Sequence, residues 1–450
     1  MDPTWPALRS SIEQQGSDVI VKVEPKVVAG AGRGLFATEK INPLQTLVLI
    51  PGHLLLNAKT LNKAYPGCML PPFPHMSGDT TQHHRLSSTQ LLSLHLYRWR
   101  RGVADIKFNA YLESLPVSFF DHPLTVILSN HREPLIESLP PAVATMLAAV
   151  EKRMQRDWDV VTECFQYFPS IVPPLDMNSM ATSIDQLADF VWAWLNVNTR
   201  CLYNDLGFAQ SEDNITMCPL LDFANHTPLQ SISITQDEFA LCDGMAFSSA
   251  VALQPGDEIY LRYGGHSNAA LFTEYGFVLA LAEKAHTFNG EVLIDCYVED
   301  LLRSRENYAQ KCQLLKDRNY WGDWTLHVED GVGYPSYRLL PVLRLAHISL
   351  GPTSGRELKL WENTILGLAE VVSAENEHGA RASLIEICER VTRESEISTP
   401  IVKNKMEAAR GAEHKDEGYL HALCMALVLW EEAYQVAELV KKAVVDGIEF

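Results

Sequence analysis

The stretch 218–277 constrains this chain more than any other part of it. It opens as Cys218-Pro219-Leu220-Leu221-Asp222-Phe223-Ala224-Asn225-His226 and closes as Gly256-Asp257-Glu258-Ile259-Tyr260-Leu261-Arg262-Tyr263-Gly264-Gly265, with Tyr275-Gly276-Phe277 one short helical stretch beyond. A short apolar run that contains Asp222 and ends in Asn225-His226 must find partners for these polar side chains or bear their desolvation cost. Pro255 to Glu258 reads as a turn, and Ile259 to Tyr263 as a strand with alternating faces, broken by Gly264-Gly265. Polar groups and two tyrosines therefore stand at the ends of short strands, which is the composition of a site.

The segments upstream supply more strands. Residues 1–17 read as a short helical lead-in, and Asp18 to Val28 alternates as a strand does. Gly30, Gly32 and Gly34 follow at alternating positions, where glycine permits positive φ and close approach of a ligand to the backbone. A plain hairpin turn explains the same pattern equally well. There is no Gly-Lys-Ser/Thr, and Leu35 stands where a dinucleotide fingerprint needs its last glycine, so neither phosphate-binding loop fits. Thr46 to Ile50, ended by Pro51-Gly52, is a further strand, and His53 to Leu56 is read as continuing its pairing.

From about 60 to 215 the character changes. Tyr65 to His84 is rich in Pro, Gly and His and reads as a loop; Gln90–Arg100, Pro141–Trp158 and Ile184–Cys201 have helical periodicity. His75, His83, His84 and His95 lack the paired-cysteine or HExxH spacing of a metal site, and no metal is expected. Phe190 to Trp194 is an aromatic core face. The helix end at Arg200 leads towards the site strands, and Arg200 suits either a carboxylate ligand or the helix C-terminus, where the macrodipole favours a cation. Past the site, 285–297 reads as a linking strand or loop. Asp300–Arg318, Glu357–Glu377, Ala380–Ser395 and Tyr419–Ala443 read as helices of an all-α module, with a boundary at Pro352 and an exposed turn at Glu413–Gly418.

The 450 residues suggest about two or three domains. A formal charge of −19, from 56 acids against 37 bases, argues against a protein that tracks nucleic-acid phosphates and suits a basic protein partner. The nine cysteines are scattered without a CxxC, the usage expected of free thiols in a reducing compartment. The start lacks a basic-then-apolar signal, and no apolar run approaches the roughly 18–20 residues of a membrane span. The expectation is a soluble, intracellular monomer, cytoplasmic and/or nuclear, that binds neither membrane nor nucleic acid directly.

Taken together, Gly32-Arg33-Gly34-Leu35-Phe36-Ala37, Asp222-Phe223-Ala224-Asn225-His226, Ile259 to Gly264, Ser267-Asn268-Ala269 and Glu274-Tyr275-Gly276-Phe277 resemble the SET-domain protein methyltransferases. Within them the chain is similar to the group named after the RuBisCO large-subunit methyltransferase. Trp192-Ala193-Trp194 through Val197-Asn198-Thr199-Arg200 resembles the branch called SET domain-containing protein 4. The resemblance implies an α+β fold of short antiparallel sheets with pseudoknot-like C-terminal strands. It implies a core split into 18–60 and 216–285, a helical insert at 61–215, and an all-α substrate-binding domain at 286–450. No zinc-binding cysteine cluster is present, and none is implied for this group.

The implied cofactor is S-adenosylmethionine, and the implied reaction is in-line methyl transfer to a lysine amine of a protein, a histone or another basic protein being among the candidates. On the family's pattern Tyr263 is the catalytic tyrosine. Ala31, Gly32, Arg33, Arg200, Asn225 and His226 hold the cofactor, Arg200 through its carboxylate. Tyr275, Gly276 and Phe277 pack against it, Tyr275 also lines the lysine channel, and Asp222 meets the channel or the substrate backbone. Methylation of a histidine is the alternative within enzymes. A non-catalytic binding scaffold is the alternative outside them, although the intact Tyr263, Asn225-His226 and glycine motif argue against it.

Overall fold

The computed structural model describes residues 3–16, 18–28, 32–73, 85–173, 183–236, 244–280, 290–351 and 355–450. Ala31, expected at the cofactor, lies outside the described residues, as do His75, His83, His84 and Pro352. The chain forms two compact units: Met1–Phe119 with Lys152–Gly265, and Phe120–Glu151 with His266–Phe450.

The first unit carries β1 (Ile20–Val21), β2 (Val23–Val28), β3 (Gly32–Ala37) and β4 (Thr46–Pro51) from the N-terminal part. From 201 onward come β5 (Cys201–Tyr203), β6 (Ile215–Met217), β7 (Asn225–His226), β8 (Ser233–Gln236), β9 (Gly244–Ser249) and β10 (Glu258–Leu261). β5 and β6 pair with each other; the rest form one sheet in the order β1-β4-β9-β8-β10-β3-β2, with β7 pairing to β10. Its pairs are antiparallel except at β10, which runs parallel to β7 and β8. Parallel neighbours need a long connection, and the excursion through β8 and β9 supplies it between β7 and β10. β10 also pairs antiparallel with β3, Ile259 opposite Leu35 and Glu258 opposite Phe36. One short strand thus joins the N-terminal glycine segment to the Asn-His segment. Past Pro51 the expected strand continuation is instead a 3-10 turn, Gly52–Leu54, with an isolated bridge from Leu56 to Met217.

In the same unit the helix Ser88–Arg100 starts on a capping box, the Ser87 side chain bonding the Gln90 N–H and Gln90 reaching back to Ser87. It packs on the helix Ser183–Arg200. Phe190 and Trp194 are fully buried there, and Trp194 Nε1 donates to Asp157 Oδ2 at 2.9 Å. His95 is held between the Tyr65 hydroxyl at 3.2 Å and Asp105 Oδ2 at 2.8 Å, inside this packing.

The second unit is largely helical. Ala374–Gly411 and Glu417–Val445 pack along each other, joined by a short exposed turn. The expectation of an all-α region past 286 needs one correction, because β11 (Glu291–Leu293), β12 (Thr325–Glu329) and β13 (Val332–Pro335) form an antiparallel sheet. Its hairpin turns on Asp330 and Gly331, both at positive φ (49° and 79°), which is the two-residue Asp-Gly signal of a tight hairpin. Leu326 and Val328 bury into a core with Trp324, Val342, Val436 and Val440. Two helices read as continuous are also broken. Asn307 at φ +60° separates Asp295–Arg303 from Tyr308–Asp317. Gly367 at φ +69° lies just beyond Gly355–Ile365, before Ser373 caps the next helix through the Asn376 N–H.

Candidate active site

β3 begins at Gly32, whose φ of +74° is one that L side chains rarely adopt, and no atom of the described residues beyond its chain neighbours lies within 4 Å of the place a Cβ would take. Gly34 answers to a different constraint. A Cβ there would lie 2.6 Å from Glu258 Oε1 and 3.0 Å from Asn225 Nδ2, so the side chains of β10 and β7 close over bare backbone. Asn225 Nδ2 donates to Glu258 Oε1 at 2.8 Å, and the Tyr260 hydroxyl donates to Glu258 Oε2 at 2.9 Å. Glu258 was not singled out from sequence. Its signal is alternation, since it shares a strand face with Tyr260 two residues on.

Tyr263 lies just past the end of β10. Its hydroxyl donates to the Ala224 carbonyl at 2.9 Å, and its backbone N–H donates to His226 Nδ1 at 3.2 Å. The two rings sit 5.1 Å apart. As an acceptor, Nδ1 of His226 carries no proton, so the neutral ring holds its hydrogen on Nε2. The register that sets Leu261 opposite His226 brings these two residues together.

Arg200 ends its helix and is far from a surface residue, with its side chain 19% exposed and turned onto Asp222. Its Nη1 donates to the Asp222 carbonyl at 2.8 Å and approaches Oδ2 at 3.4 Å. The Asp222 side chain is fully buried and also accepts from the Tyr111 hydroxyl at 3.0 Å. Burial raises the Asp222 pKa, opposed by Arg200, Tyr111 and Arg33. Asp222 Oδ1 and Arg200 Nε have no hydrogen-bond partner among the described residues. Arg33 donates to the Ser114 carbonyl at 2.5 Å and lies over the Phe223 ring at 4.4 Å. Half-buried Cys201 and buried Cys218 lie beside this carboxylate, and desolvation pushes both thiols up. Tyr111 was missed from sequence because nothing local in the helix Asn109–Leu112 marks it.

In the second unit, Tyr275 closes a single π-turn, Leu271–Tyr275, and Gly276 at φ +79° ends it. A Cβ on Gly276 would lie 2.6 Å from His122 Cδ2. The fully buried His122 accepts from the Leu124 N–H through Nδ1 at 3.1 Å and faces the Glu274 carbonyl through Nε2 at 3.3 Å. Desolvation lowers its pKa to about 4. The Tyr275 ring stands 5.5 Å from that of His266 and 6.2 Å from that of Phe277. Burial and then Glu274 raise its hydroxyl pKa. Gly32, Arg33, Arg200, Asp222, Asn225, His226 and Tyr263 are thus residues of the first unit, and Tyr275, Gly276 and Phe277 of the second.

No family model matches the chain. It is 27% identical over 340 residues to the ribosomal lysine N-methyltransferase set11 of Schizosaccharomyces pombe, a match that covers 76% of this chain and 74% of that one. It is 26% identical to SET domain-containing protein 4 of Mus musculus, over 82% of this chain and 77% of the relative. To the protein of the same name in Homo sapiens it is 24% identical, over 92% and 85%. The crystal structure of the SET domain of LSMT bound to lysine and AdoHcy aligns with a TM-score of 0.64 at 18% identity, over 99% of this chain and 92% of that one. The structure of Rubisco LSMT bound to AdoMet aligns over the same shares, 99% and 92%, with a TM-score of 0.59. The chain has the SET fold with a helical C-terminal region, and the resemblance read from its motifs is borne out.

Proposed function

We propose that this protein is an S-adenosylmethionine-dependent protein lysine N-methyltransferase whose chemistry centres on Tyr263. The relatives named as lysine N-methyltransferases and the AdoMet-bound structures of the same fold support the activity class. The observation that carries it in this chain is the placement of the Tyr263 hydroxyl on the Ala224 carbonyl, one residue before Asn225-His226. The split core at 18–60 and 216–285 carries the chemistry, and the helical region from 286 docks the substrate protein.

The residues present fit the cofactor. A guanidinium whose Nε is buried and unpartnered among the described residues is a donor suited to a carboxylate. Gly32, with open space where a Cβ would stand, leaves backbone approachable. Arg200 would hold the carboxylate, Asn225 and His226 with the backbone of 31–33 the rest of the molecule, and Tyr275, Gly276 and Phe277 its adenine side. When bound, S-adenosylmethionine supplies a methyl group on a sulfonium for in-line displacement.

The chain's own task is to present a neutral amine to that group. A free lysine, at a pKa of about 10.4, costs roughly 4–5 kcal/mol to deprotonate at pH 7, and entry into an apolar channel lowers that cost by desolvation. Tyr263, with its proton committed to Ala224, acts towards an amine N–H as an acceptor and orients it. On the family's pattern Asp222 would meet the channel or the substrate backbone, and Tyr275 would line the channel. The net charge of −19 suits a basic protein substrate, a histone among the candidates, met in cytoplasm or nucleus by a monomer. Among the described residues no helix is long and apolar enough to cross a membrane.

Calorimetric titration with S-adenosylmethionine tests the site. Wild type is expected to bind in the micromolar range and Asn225→Ala to lose that binding, after which a labelled-methyl screen of cell extract identifies the target protein. Absence of binding by wild type would overturn the proposal.

A further inference from the structure

Two of the residues assigned above, Asp222 and Arg33, meet one short helix and the turn after it, which no motif marked. Tyr111 in the helix Asn109–Leu112 is 3% exposed, and its hydroxyl donates to Asp222 Oδ2 at 3.0 Å. Ser114, two residues past that helix, accepts from Arg33 at its carbonyl, and its own hydroxyl donates back to the Tyr111 carbonyl at 2.6 Å. The same Asp222 oxygen lies 3.4 Å from Arg200 Nη1, so Oδ2 is shared between a phenol and a guanidinium. Among the described residues, Oδ1 of Asp222 and Nε of Arg200 are left without a partner.

We infer that Tyr111 is a positioning residue for cofactor capture: by anchoring Asp222 Oδ2 it stops the carboxylate from closing a two-pronged pair with Arg200, and so keeps the guanidinium edge available to the cofactor's carboxylate. An arginine and a carboxylate at this separation ordinarily close into a parallel, two-bond fork. Here the pairing is single, through Nη1, and the Nη1 bond to the Asp222 carbonyl at 2.8 Å fixes the guanidinium plane by backbone instead. Without the phenol, Oδ1 and Oδ2 are free to rotate onto Nη1 and Nη2, and the arginine is spent internally. This inference rests on the methyltransferase reading and deepens it by naming what holds Arg200 ready.

The test compares two ligands on the full chain by calorimetry. S-adenosylmethionine carries the amino-acid end; 5′-methylthioadenosine keeps the nucleoside and the sulfur and lacks the carboxylate. Tyr111→Phe is expected to raise the Kd for S-adenosylmethionine about tenfold, the scale of a hydrogen bond to a charged group, and to leave 5′-methylthioadenosine within about twofold of wild type. Arg200→Lys is expected to show the same selective loss, and thermal melting checks that each variant is folded. Unchanged S-adenosylmethionine binding in Tyr111→Phe beside a weakened Arg200→Lys would overturn the inference and leave the parent reading standing. Equal loss of both ligands would make Tyr111 merely structural and overturn it as well. If wild type binds neither ligand, the parent reading falls and this inference with it. Should Tyr111→Phe fail to fold, Asp222→Asn, which removes the charge that competes for Arg200, is expected to bind S-adenosylmethionine at least as tightly as wild type, and a selective loss of that ligand would overturn the inference.

Discussion

Tyr263 donates its hydroxyl proton to a backbone carbonyl at 2.9 Å, and that bond defines what the residue is able to do. On the proposed function, a phenol fixed in this way would orient an amine and stabilise developing charge without having to ionise. Tyr263→Phe is therefore expected to lower kcat by about 10²-fold, as loss of a preorganised polar group does, while S-adenosylmethionine affinity stays near wild type; steady-state kinetics beside calorimetry separates the two. A second residue-scale expectation concerns His122. Its folded pKa of about 4 lies below the ordinary 6.5, so the unfolded chain binds the extra proton first as pH falls. Stability from this group is complete above pH 6.5 and declines towards pH 4, by up to about 3 kcal/mol. Urea midpoints across that window should fall in wild type and fall less in His122→Gln, which keeps a donor in reach of Glu274. Parallel slopes in the two proteins would count against His122 as the group responsible.

At the scale of elements, the hairpin β12–β13 separates two reasons for glycine. Gly331 sits at φ +79° with nothing within 4 Å of the place a Cβ would take, so Gly331→Ala is a pure backbone strain and should cost about 1 kcal/mol. Gly333 has an ordinary backbone, yet a Cβ there would lie 2.3 Å from the backbone nitrogen of Val440, on the helix Glu417–Val445. Gly333→Ala must push strand and helix apart and should cost about 3 kcal/mol or more, the range of overpacked cores. Thermal or urea unfolding of the two variants ranks them, and equal costs would remove the distinction. Asp330-Gly331 is a local tight-turn signal that the expectation of an all-α region passed over. Gly333 was not legible, because its requirement comes from a helix about a hundred residues further along the chain.

For the molecule as a whole, charge is the property that acts at a distance. A net −19 should draw in a basic substrate protein, so its KM is expected to rise with salt between low and physiological ionic strength while kcat holds steady. A salt-independent KM would argue that docking is apolar. The unit Met1–Phe119 with Lys152–Gly265 is discontinuous, and its sheet takes strands from both segments.

Local pattern was enough to name the kinds of groups in the site and much of the scaffold. Asn225-His226 and Tyr263 stood out because polar residues at strand ends are local anomalies, visible against short-range periodicity, whereas the glycine segment and Arg200 each had an ordinary local explanation and took their roles from the family resemblance. The helices Ser88–Arg100, Pro141–Tyr167 and Ser183–Arg200 were visible for the same reason. Which groups meet was settled by the tertiary fold alone. Glu258 under Asn225, Tyr111 on Asp222 and His122 against Gly276 join residues 33, 111 and 154 positions apart. Such contacts arise when burial forces each polar atom to find a partner wherever the chain has brought one, and no local pattern records that choice.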